Sequence, residues 1–368
     1  MTSQVTASSD FRKALMQRGG KTATRCYQCA TCSSVCELAP ANAPFPRKQM
    51  LQAQWGMEAA LMTDPAVWLC HQCNDCSTRC PRDAKPGDVM QALRSLFIEK
   101  FAIPSVMGRL VGNISMTWPF VLGLPILFWA GFIYLFNGLP GFTIPESFHA
   151  FDQFVPHWMV YVVNIPVFSL AFALIFMSAS RAWKSWGEGV ERKGSFVTEL
   201  VGACIDIATH KRFGQCGTSK PRKRGHFLFM WGFIGAFITT GLVVIWYYGF
   251  GTELPFALTH PWKILGNISA VLLVVGGAAL LINRLRPDTT AGVSLAFDNF
   301  FLFLILSVAA TGVLTETARE FLENAELACW SYLVHLGLIL CLFITLPYCK
   351  FAHFVYRTLA MTHERMAK

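Results

Sequence analysis

Eight of the thirteen cysteines form two runs with the same spacing, and this pattern constrains the chain more than any other feature. In each run two residues separate the first, second and third cysteines, and three residues precede the fourth. This spacing is typical of proteins that hold two [4Fe–4S] clusters, in which the fourth thiolate of each run binds the other cluster. We therefore predict one cluster on Cys26, Cys29, Cys32 and Cys80, and a second cluster on Cys70, Cys73, Cys76 and Cys36.

Two other uses of cysteine fit this pattern less well. A structural zinc ion takes about four ligands, usually as two separated pairs. Disulfide frameworks occur in small secreted domains, and the first 24 residues lack the apolar core of a secretory signal. The first run ends Cys36-Glu37, without the proline that follows Cys80 in the second. Because proline is not a ligand, this difference changes the local turn rather than the chemistry.

The composition divides the chain into two parts. Hydrophobic residues make up 54% of the 368 residues and charged residues only 14%, which is too apolar for an ordinary soluble protein. Residues 1–105 are polar, and their sequence predicts helices over Arg47–Met62 and Asp88–Phe101, the second with Asp88 as its N-cap. Almost all long apolar runs lie beyond Trp118.

Six of these apolar runs are long enough to cross a bilayer. They are Trp118–Phe136, Trp158–Ser180, Phe227–Gly249, Ile264–Asn283, Phe297–Leu314 and Ala328–Cys349. The predicted fold class is therefore all-α, with a helical two-cluster domain over residues 1–105 and a six-helix membrane bundle over residues 106–368.

The charge distribution predicts the orientation in the membrane. Ten Lys or Arg residues lie between positions 181 and 226, and Arg284 and Arg286 lie on the same predicted side. The opposite loops are acidic, with Glu316, Glu320 and Glu323 among them. By the positive-inside rule, we predict a protein of the inner membrane whose cluster domain and both termini lie in the cytoplasm. The net charge of +9 is thus a topological signal, and we expect no nucleic-acid partner.

Two histidines on the last apolar helix suggest haem. His335 and His353 are eighteen residues apart, about five turns and about 27 Å along a continuous helix, so both would face the same side. Pro347 between them could bend that helix. We predict that His353 and His226 hold a b-type haem near the cytoplasmic surface, because ionisable residues in membrane spans are usually functional.

The second ligand of an outer haem is less well defined. His335 would pair with His157, and His260 and His149 are the alternatives. For each histidine the competing interpretation is an interfacial side chain without a metal. His71 lies inside the second cysteine run, where it could hydrogen-bond a cluster sulfur. The remaining two, His210 and His363, are predicted to be solvated, and Cys204, Cys216, Cys329, Cys341 and Cys349 to be free thiols.

The cysteine-rich part resembles the C subunit of heterodisulfide reductases. The rest resembles the membrane cytochrome b (the E subunit) of the same family, which is related to the gamma subunit of respiratory nitrate reductase. In that gamma subunit the last helix carries two haem-ligating histidines at the spacing of His335 and His353. The fusion of both parts, from about Arg25 to His353, is similar to the C subunit of the quinone-interacting membrane-bound oxidoreductase complex.

Two departures limit what the resemblance implies. The gamma subunit has a second histidine ten residues along its second helix, but Ala236 stands there when His226 is taken as the first. The Cys-Cys-Gly motifs of heterodisulfide-cleaving subunits are also missing, as are nucleotide-binding motifs for a flavin. No catalytic residue is therefore predicted in this chain.

The resemblance implies an electron-transfer subunit of a quinone-linked oxidoreductase complex. Electrons would pass from menaquinol through one or two haems b and the two clusters to two soluble flavin and iron–sulfur subunits. The complex would be linked to adenylylsulfate reductase in dissimilatory sulfur metabolism. Arg224, Lys350 and Arg357 are candidates for a quinone site. The alternatives are a heterodisulfide- or sulfite-reducing partner, and a membrane anchor without haem.

Overall fold

The computed structural model describes residues 6–39, 44–136, 144–145, 151–187, 190–215, 220–252, 254–286 and 294–367. Within these ranges the chain is mostly α-helical and contains no β-strand, which confirms the all-α fold class. His149 and Cys216, for which predictions were made, lie outside the described residues.

Among the described residues, eight α-helices precede the membrane part. Two predictions need correction here. The segment Arg47–Met62 is two helices, because Gly56 has a positive φ of 68° and ends the first of them. The next long helix begins at Pro86, so Asp88 lies in its first turn rather than at its N-cap. The helices are α1 (Ser9–Gln17), α2 (Thr31–Ser34), α3 (Arg47–Trp55), α4 (Glu58–Met62), α5 (Ala66–Leu69), α6 (Asp75–Thr78), α7 (Pro86–Phe101) and α8 (Ser105–Gly112).

Six long apolar helices follow, one for each predicted span, so the chain is a multi-pass membrane protein. Large apolar side chains such as Phe120 and Phe176 face outward, as a lipid-facing surface requires. A shorter helix, α11, lies between the second and third spans. The helices are α9 (Ile114–Phe136), α10 (His157–Trp186), α11 (Phe196–Ala208), α12 (Lys220–Phe250), α13 (Pro261–Leu285), α14 (Ala296–Glu320), α15 (Ala325–Thr345) and α16 (Lys350–Met366).

The last span is not one continuous helix. A single 3₁₀ turn, Leu346–Tyr348, separates α15 from α16, and Cys349 after it is extended. Proline cannot donate the next helical hydrogen bond, so Pro347 is the physical reason for the break. The prediction that His335 and His353 face one side of a straight five-turn helix is therefore wrong, although both remain on this span.

Close packing fixes the position of α12 against α13. A Cβ atom on Gly276 would lie 2.5 Å from the backbone nitrogen of Phe229, and one on Gly232 would lie 2.7 Å from the nitrogen of Leu273. Only glycine allows the two helix backbones to approach this closely, a common arrangement in membranes. The contact holds the N-terminal half of α12, which bears His226.

The C-terminal helix α16 packs on the cysteine-rich part. Trp68 on α5 is fully buried, and its ring centroid lies 4.7 Å from that of Tyr356 and 5.8 Å from that of His353. The Tyr348 hydroxyl donates to the carbonyl of Ile103 at 2.7 Å. Burial of large aromatic rings is among the strongest contributions to a packed core. These contacts place the second cysteine run against the membrane bundle, while the division into 1–105 and 106–368 stays a prediction.

Candidate functional site

The two cysteine runs fold in the same way. In each run the second residue after the first cysteine has a positive φ, 62° at Gln28 and 53° at Gln72. The third cysteine of each run lies in a short helix, and the residue before that helix is also left-handed. This residue is Ala30 in the first run and Asn74 in the second. Such turns point successive side chains to one side of the backbone. The backbone N–H of Gln72 donates to the Cys70 sulfur at 3.3 Å, the kind of contact that tunes a cluster's potential.

The first group of thiols draws on both runs. Burial, above all, raises the pKa of Cys32 to about 11, and the neighbouring thiols of Cys26, Cys29 and Cys80 add to the shift. Cys80 belongs to the second run, so thiols of both runs lie near Cys32, while the crossed ligand set stays a prediction. A thiol with so high a pKa becomes a thiolate only when a metal displaces its proton.

The second group also draws on both runs. Burial raises the pKa of Cys36 to about 11, with contributions from Cys70 and Cys73. Burial likewise raises the pKa of Cys76, with further contributions from Cys70, Cys73 and Cys36. All four thiols line one cavity, together with His71. A shared cavity with four thiols fits a [4Fe–4S] cluster.

No three His, Cys, Asp or Glu side chains among the described residues converge as they would around a single metal ion. A cubane places its four thiolates on four different iron atoms, so it does not need such convergence.

The surroundings of the two groups differ. Cys29 of the first group is exposed, and so is Tyr27, whose side chain is 69% accessible. The Arg82 guanidinium lies 4.1 Å from the centre of the Tyr27 ring, and Arg25 forms an exposed ion pair with Asp83 at 3.0 Å. The first group therefore lies near the protein surface, whereas the second lies against the membrane part.

A large, partly open cavity of about 430 Å³ adjoins the second group. His226 is exposed to it, and His353 Nδ1 is buried without a hydrogen-bond partner in the described structure. The wall combines four histidines with many cations and aromatic rings. It includes His71, His210, His226, His353, Arg94, Arg212, Arg222, Arg284, Lys350, Arg357, Phe168, Phe172, Phe229, Phe233, Phe237 and Phe343.

The cavity's arginines contact the second cysteine run directly. Arg222 donates to the Gln72 carbonyl at 2.6 Å, and Arg94 donates to the Cys70 carbonyl at 2.9 Å. Arg357, a candidate from the sequence, donates to the Leu69 carbonyl at 3.2 Å. These bonds tie the wall of the large cavity to the backbone that presents the second group of thiols.

The other two quinone-site candidates differ in placement. Lys350 lines the cavity and pairs with Asp298, which also accepts from Gln91. Arg224 is exposed and does not line the cavity.

His71 lies between the two cavities and lines both. Burial, with Arg357, Arg212 and Arg222 nearby, holds the pKa of His71 well below its usual range, so its ring is neutral. The predicted hydrogen bond from this ring to a cluster sulfur stays a prediction.

His210 is buried, so the prediction that it is solvated is wrong. Its side chain is 4% exposed, and its Nε2 atom lies 2.8 Å from Nδ1 of His226. The prediction for His363 is wrong in the same way, because that ring is 5% exposed and bonds the Trp186 carbonyl at 2.9 Å. Charged residues follow both histidines, Lys211 and Arg212 in one case and Glu364 and Arg365 in the other, and nothing in these local sequences indicated that the tertiary structure would cover the rings.

The predicted outer pair has different surroundings. His335 Nδ1 lies 3.0 Å from the Thr311 hydroxyl, and the ring packs against Gly312. The His157 ring lies edge-on to Tyr247, with ring centroids 5.0 Å apart. Neither residue lines the large cavity. The alternative ligand, His260, instead caps α13 by accepting from the backbone N–H of Trp262 at 3.3 Å.

The thiols outside the two runs show no common site among the described residues. Cys329, Cys341 and Cys349 are buried and Cys204 is exposed.

Comparison with known proteins connects both halves of the chain to known families. The family "Citrate utilization protein B" matches residues 132–368, and the family "4Fe-4S dicluster domain" matches residues 22–84. Citrate utilization protein B of Escherichia coli is 26% identical over 351 residues, which cover 90% of this chain and 87% of that protein. No solved structure matches the chain.

Two further relatives match the cysteine-rich part. A protein of Archaeoglobus profundus that is like the C subunit of heterodisulfide reductase is 36% identical over 93 residues, 25% of this chain and 50% of that protein. The C subunit of the H(2):CoB-CoM heterodisulfide,ferredoxin reductase of Methanothermobacter thermautotrophicus is 32% identical over 87 residues, 23% of this chain and 46% of that protein. The matched segment thus spans about half of each of these two relatives.

Proposed function

The chain belongs to the citrate utilization protein B family, and from this premise we propose that it is the membrane electron-transfer subunit of a quinone-linked oxidoreductase complex. It would pass electrons between the quinone pool, menaquinone included, and soluble flavin and iron–sulfur subunits. The clusters and haem b, when bound, supply one-electron transfer. The similarity of the cysteine-rich part to C subunits of heterodisulfide reductases supports an electron-transfer role for that part.

One observation supports the proposal most directly. A single cavity is lined on one side by the second cysteine run and on the other by His226 and His353. His226 and His353 would hold haem b, since both line this cavity. Arg222 and Arg284 would provide positive charge for the propionates, and the aromatic wall would suit the porphyrin. The proposal concerns the haem of this cavity, which His335 and His157 do not line.

The positions of the two thiol groups suggest the order in which electrons pass from the membrane to the soluble partner. The second group adjoins the large cavity, and the exposed first group, with Tyr27 and Cys29 at the surface, is the point of exit. The soluble partner would therefore dock over the first group. Residues 1–105 form the cluster domain in this proposal, and residues 106–368 form the membrane domain.

The proposal is tested by optical spectroscopy of the purified chain. We expect a b-type α-band in the dithionite-reduced minus oxidised spectrum, and partial appearance of the same band when menadiol replaces dithionite. The dithionite spectrum of a haem-free anchor would lack the band. A band with dithionite but none with menadiol would contradict the quinone link.

The orientation follows from the basic loops and is a proposal of its own. With both termini cytoplasmic, a green fluorescent protein fused after Lys368 should fluoresce, and alkaline phosphatase at the same point should be inactive. Insertion after Thr252, between the third and fourth spans, should give the opposite pair of results. The reverse pattern at both positions would contradict the cytoplasmic placement of the clusters.

The partner's substrate class has two candidates. The match over 90% of the chain favours a partner that acts in the use of citrate. The resemblance to the quinone-interacting membrane-bound oxidoreductase complex favours two soluble subunits linked to adenylylsulfate reductase, or a heterodisulfide- or sulfite-reducing partner. Purification of the complex from native membranes, with identification of its soluble subunits, separates these candidates. Recovery of no soluble flavoprotein would contradict both.

A further inference from the structure

His210 occupies a backbone position that usually belongs to glycine. Helix α11 ends at Ala208, and His210 follows with a φ of +53°. The N–H of Lys211 donates to the Asp206 carbonyl and that of His210 to the Ile207 carbonyl, both at 3.1 Å. This pair of bonds is the Schellman motif, whose left-handed residue is most often glycine because a Cβ atom is unfavourable there. A histidine at this position is an outlier that suggests a role for its ring.

The ring is held in one place by its neighbours. It is buried between two aromatic side chains, with centroids 5.3 Å from Phe227 and 5.9 Å from Phe213. Its Nε2 atom meets Nδ1 of His226 at 2.8 Å, an ordinary hydrogen-bond length. Phe213 also stacks on the His226 ring at 5.8 Å, so the pair of imidazoles is packed from the same side.

Only one arrangement of protons leaves His226 able to bind iron. A neutral imidazole has one protonated nitrogen and one with a lone pair. If His226 carries its proton on Nδ1 and donates it to His210 Nε2, the lone pair of His226 is on Nε2. In the opposite arrangement His226 accepts on Nδ1 and its Nε2 carries the proton, so that neither nitrogen is free for a metal.

We propose that His210 is a positioning residue for His226, through a hydrogen bond from His226 Nδ1–H to His210 Nε2; this inference rests on the proposed haem site. Histidines that bind metals usually donate their second N–H to such an acceptor, which fixes the tautomer and raises the basicity of the ligand. A more basic ligand stabilises the ferric over the ferrous state. The bond therefore lowers the midpoint potential of the haem that His226 holds.

The test uses the full purified chain with its haem, and a redox titration of the α-band. In His210→Gly the acceptor is lost while the left-handed turn becomes easier to form, so we expect haem to be retained and its midpoint potential to become more positive. In His210→Gln the side-chain amide can reach the place of Nε2 and its oxygen can accept, so the potential should lie between those of His210→Gly and the unchanged chain. Lys211→Ala, the control, replaces the next side chain of the same motif and leaves the His210 ring in place. Its midpoint potential should equal that of the unchanged chain.

The other outcomes are equally decisive. An unchanged potential in His210→Gly with full haem content overturns it. Loss of haem in both His210→Gly and His210→Gln makes the role structural and overturns the proposal. Loss of haem in His210→Gly with haem kept in His226→Ala makes His210 the ligand and also overturns it. Haem kept in His210→Gln and lost only in His210→Gly supports the acceptor role. An unchanged chain without a b-type band overturns the proposed haem function and this inference together, and that spectrum is measured first.

Discussion

Replacing Cys76 with serine is expected to remove one [4Fe–4S] cluster and to leave the other in place. Cys76 is grouped with Cys70, Cys73 and Cys36 around one cavity, so its loss opens that ligand set alone. Iron bound to the purified chain should fall from about eight to about four atoms. Electron paramagnetic resonance of the reduced protein should then show a single cluster without the magnetic interaction between two.

Two further variants test the crossed ligand set. Cys36→Ser, although it lies in the first run, should abolish the same cluster as Cys76→Ser, and Cys80→Ser should abolish the other. If Cys36→Ser removed the cluster that depends on Cys26, the crossed assignment would be wrong. Cys204→Ser is the matched control, because this thiol on α11 is exposed and belongs to neither group; its iron content should equal that of the unchanged chain.

His353→Ala is expected to remove haem from the large cavity. The ring reaches the cavity that His226 also lines, and its Nδ1 atom has no other hydrogen-bond partner in the part of the chain described. Without one of its two histidine ligands this haem should be lost, and its whole contribution to the b-type α-band should disappear. His226→Ala should have the same effect. Iron–sulfur content, measured in parallel, should be unchanged if the fold is intact.

The control for this pair lies on the same helix. His363 is also buried on α16, but its ring bonds the Trp186 carbonyl and does not line the cavity. His363→Gln keeps a donor for that bond, so its haem content should equal that of the unchanged chain. Equal haem content in His353→Ala and His363→Gln would refute the assignment of His353 as a ligand.

Local patterns predicted the helical fold. The six spans follow from runs of apolar residues, and five of the runs became single helices because a backbone in lipid must satisfy its own hydrogen bonds, while the sixth is broken at Pro347. The crossed ligand set of the thiols stays a prediction from their spacing, and each run folds through two left-handed residues. Errors arose at helix interruptions, such as Gly56 and Pro347, where one residue changes the direction of the chain.

The histidines could not be resolved in the same way. His226 and His353, predicted as a pair at one depth of the bilayer, line the same cavity. His210 was missed, because the loop that contains it has no apolar pattern to indicate burial. The predicted partnership of His335 with His157 is not supported by a shared cavity, since depth in the membrane alone does not specify which helices are neighbours.

The sequence by itself determined the ligand type, the number of clusters to expect and the number of spans, because each depends on residues close together along the chain. Only the tertiary structure decided which side chains from distant segments share a site. It brought the second cysteine run, His226 on α12 and His353 on α16 to one cavity, and placed His210 against His226. Those distances depend on how the helices pack, through close contacts such as Gly276 against Phe229, and no local pattern encodes them.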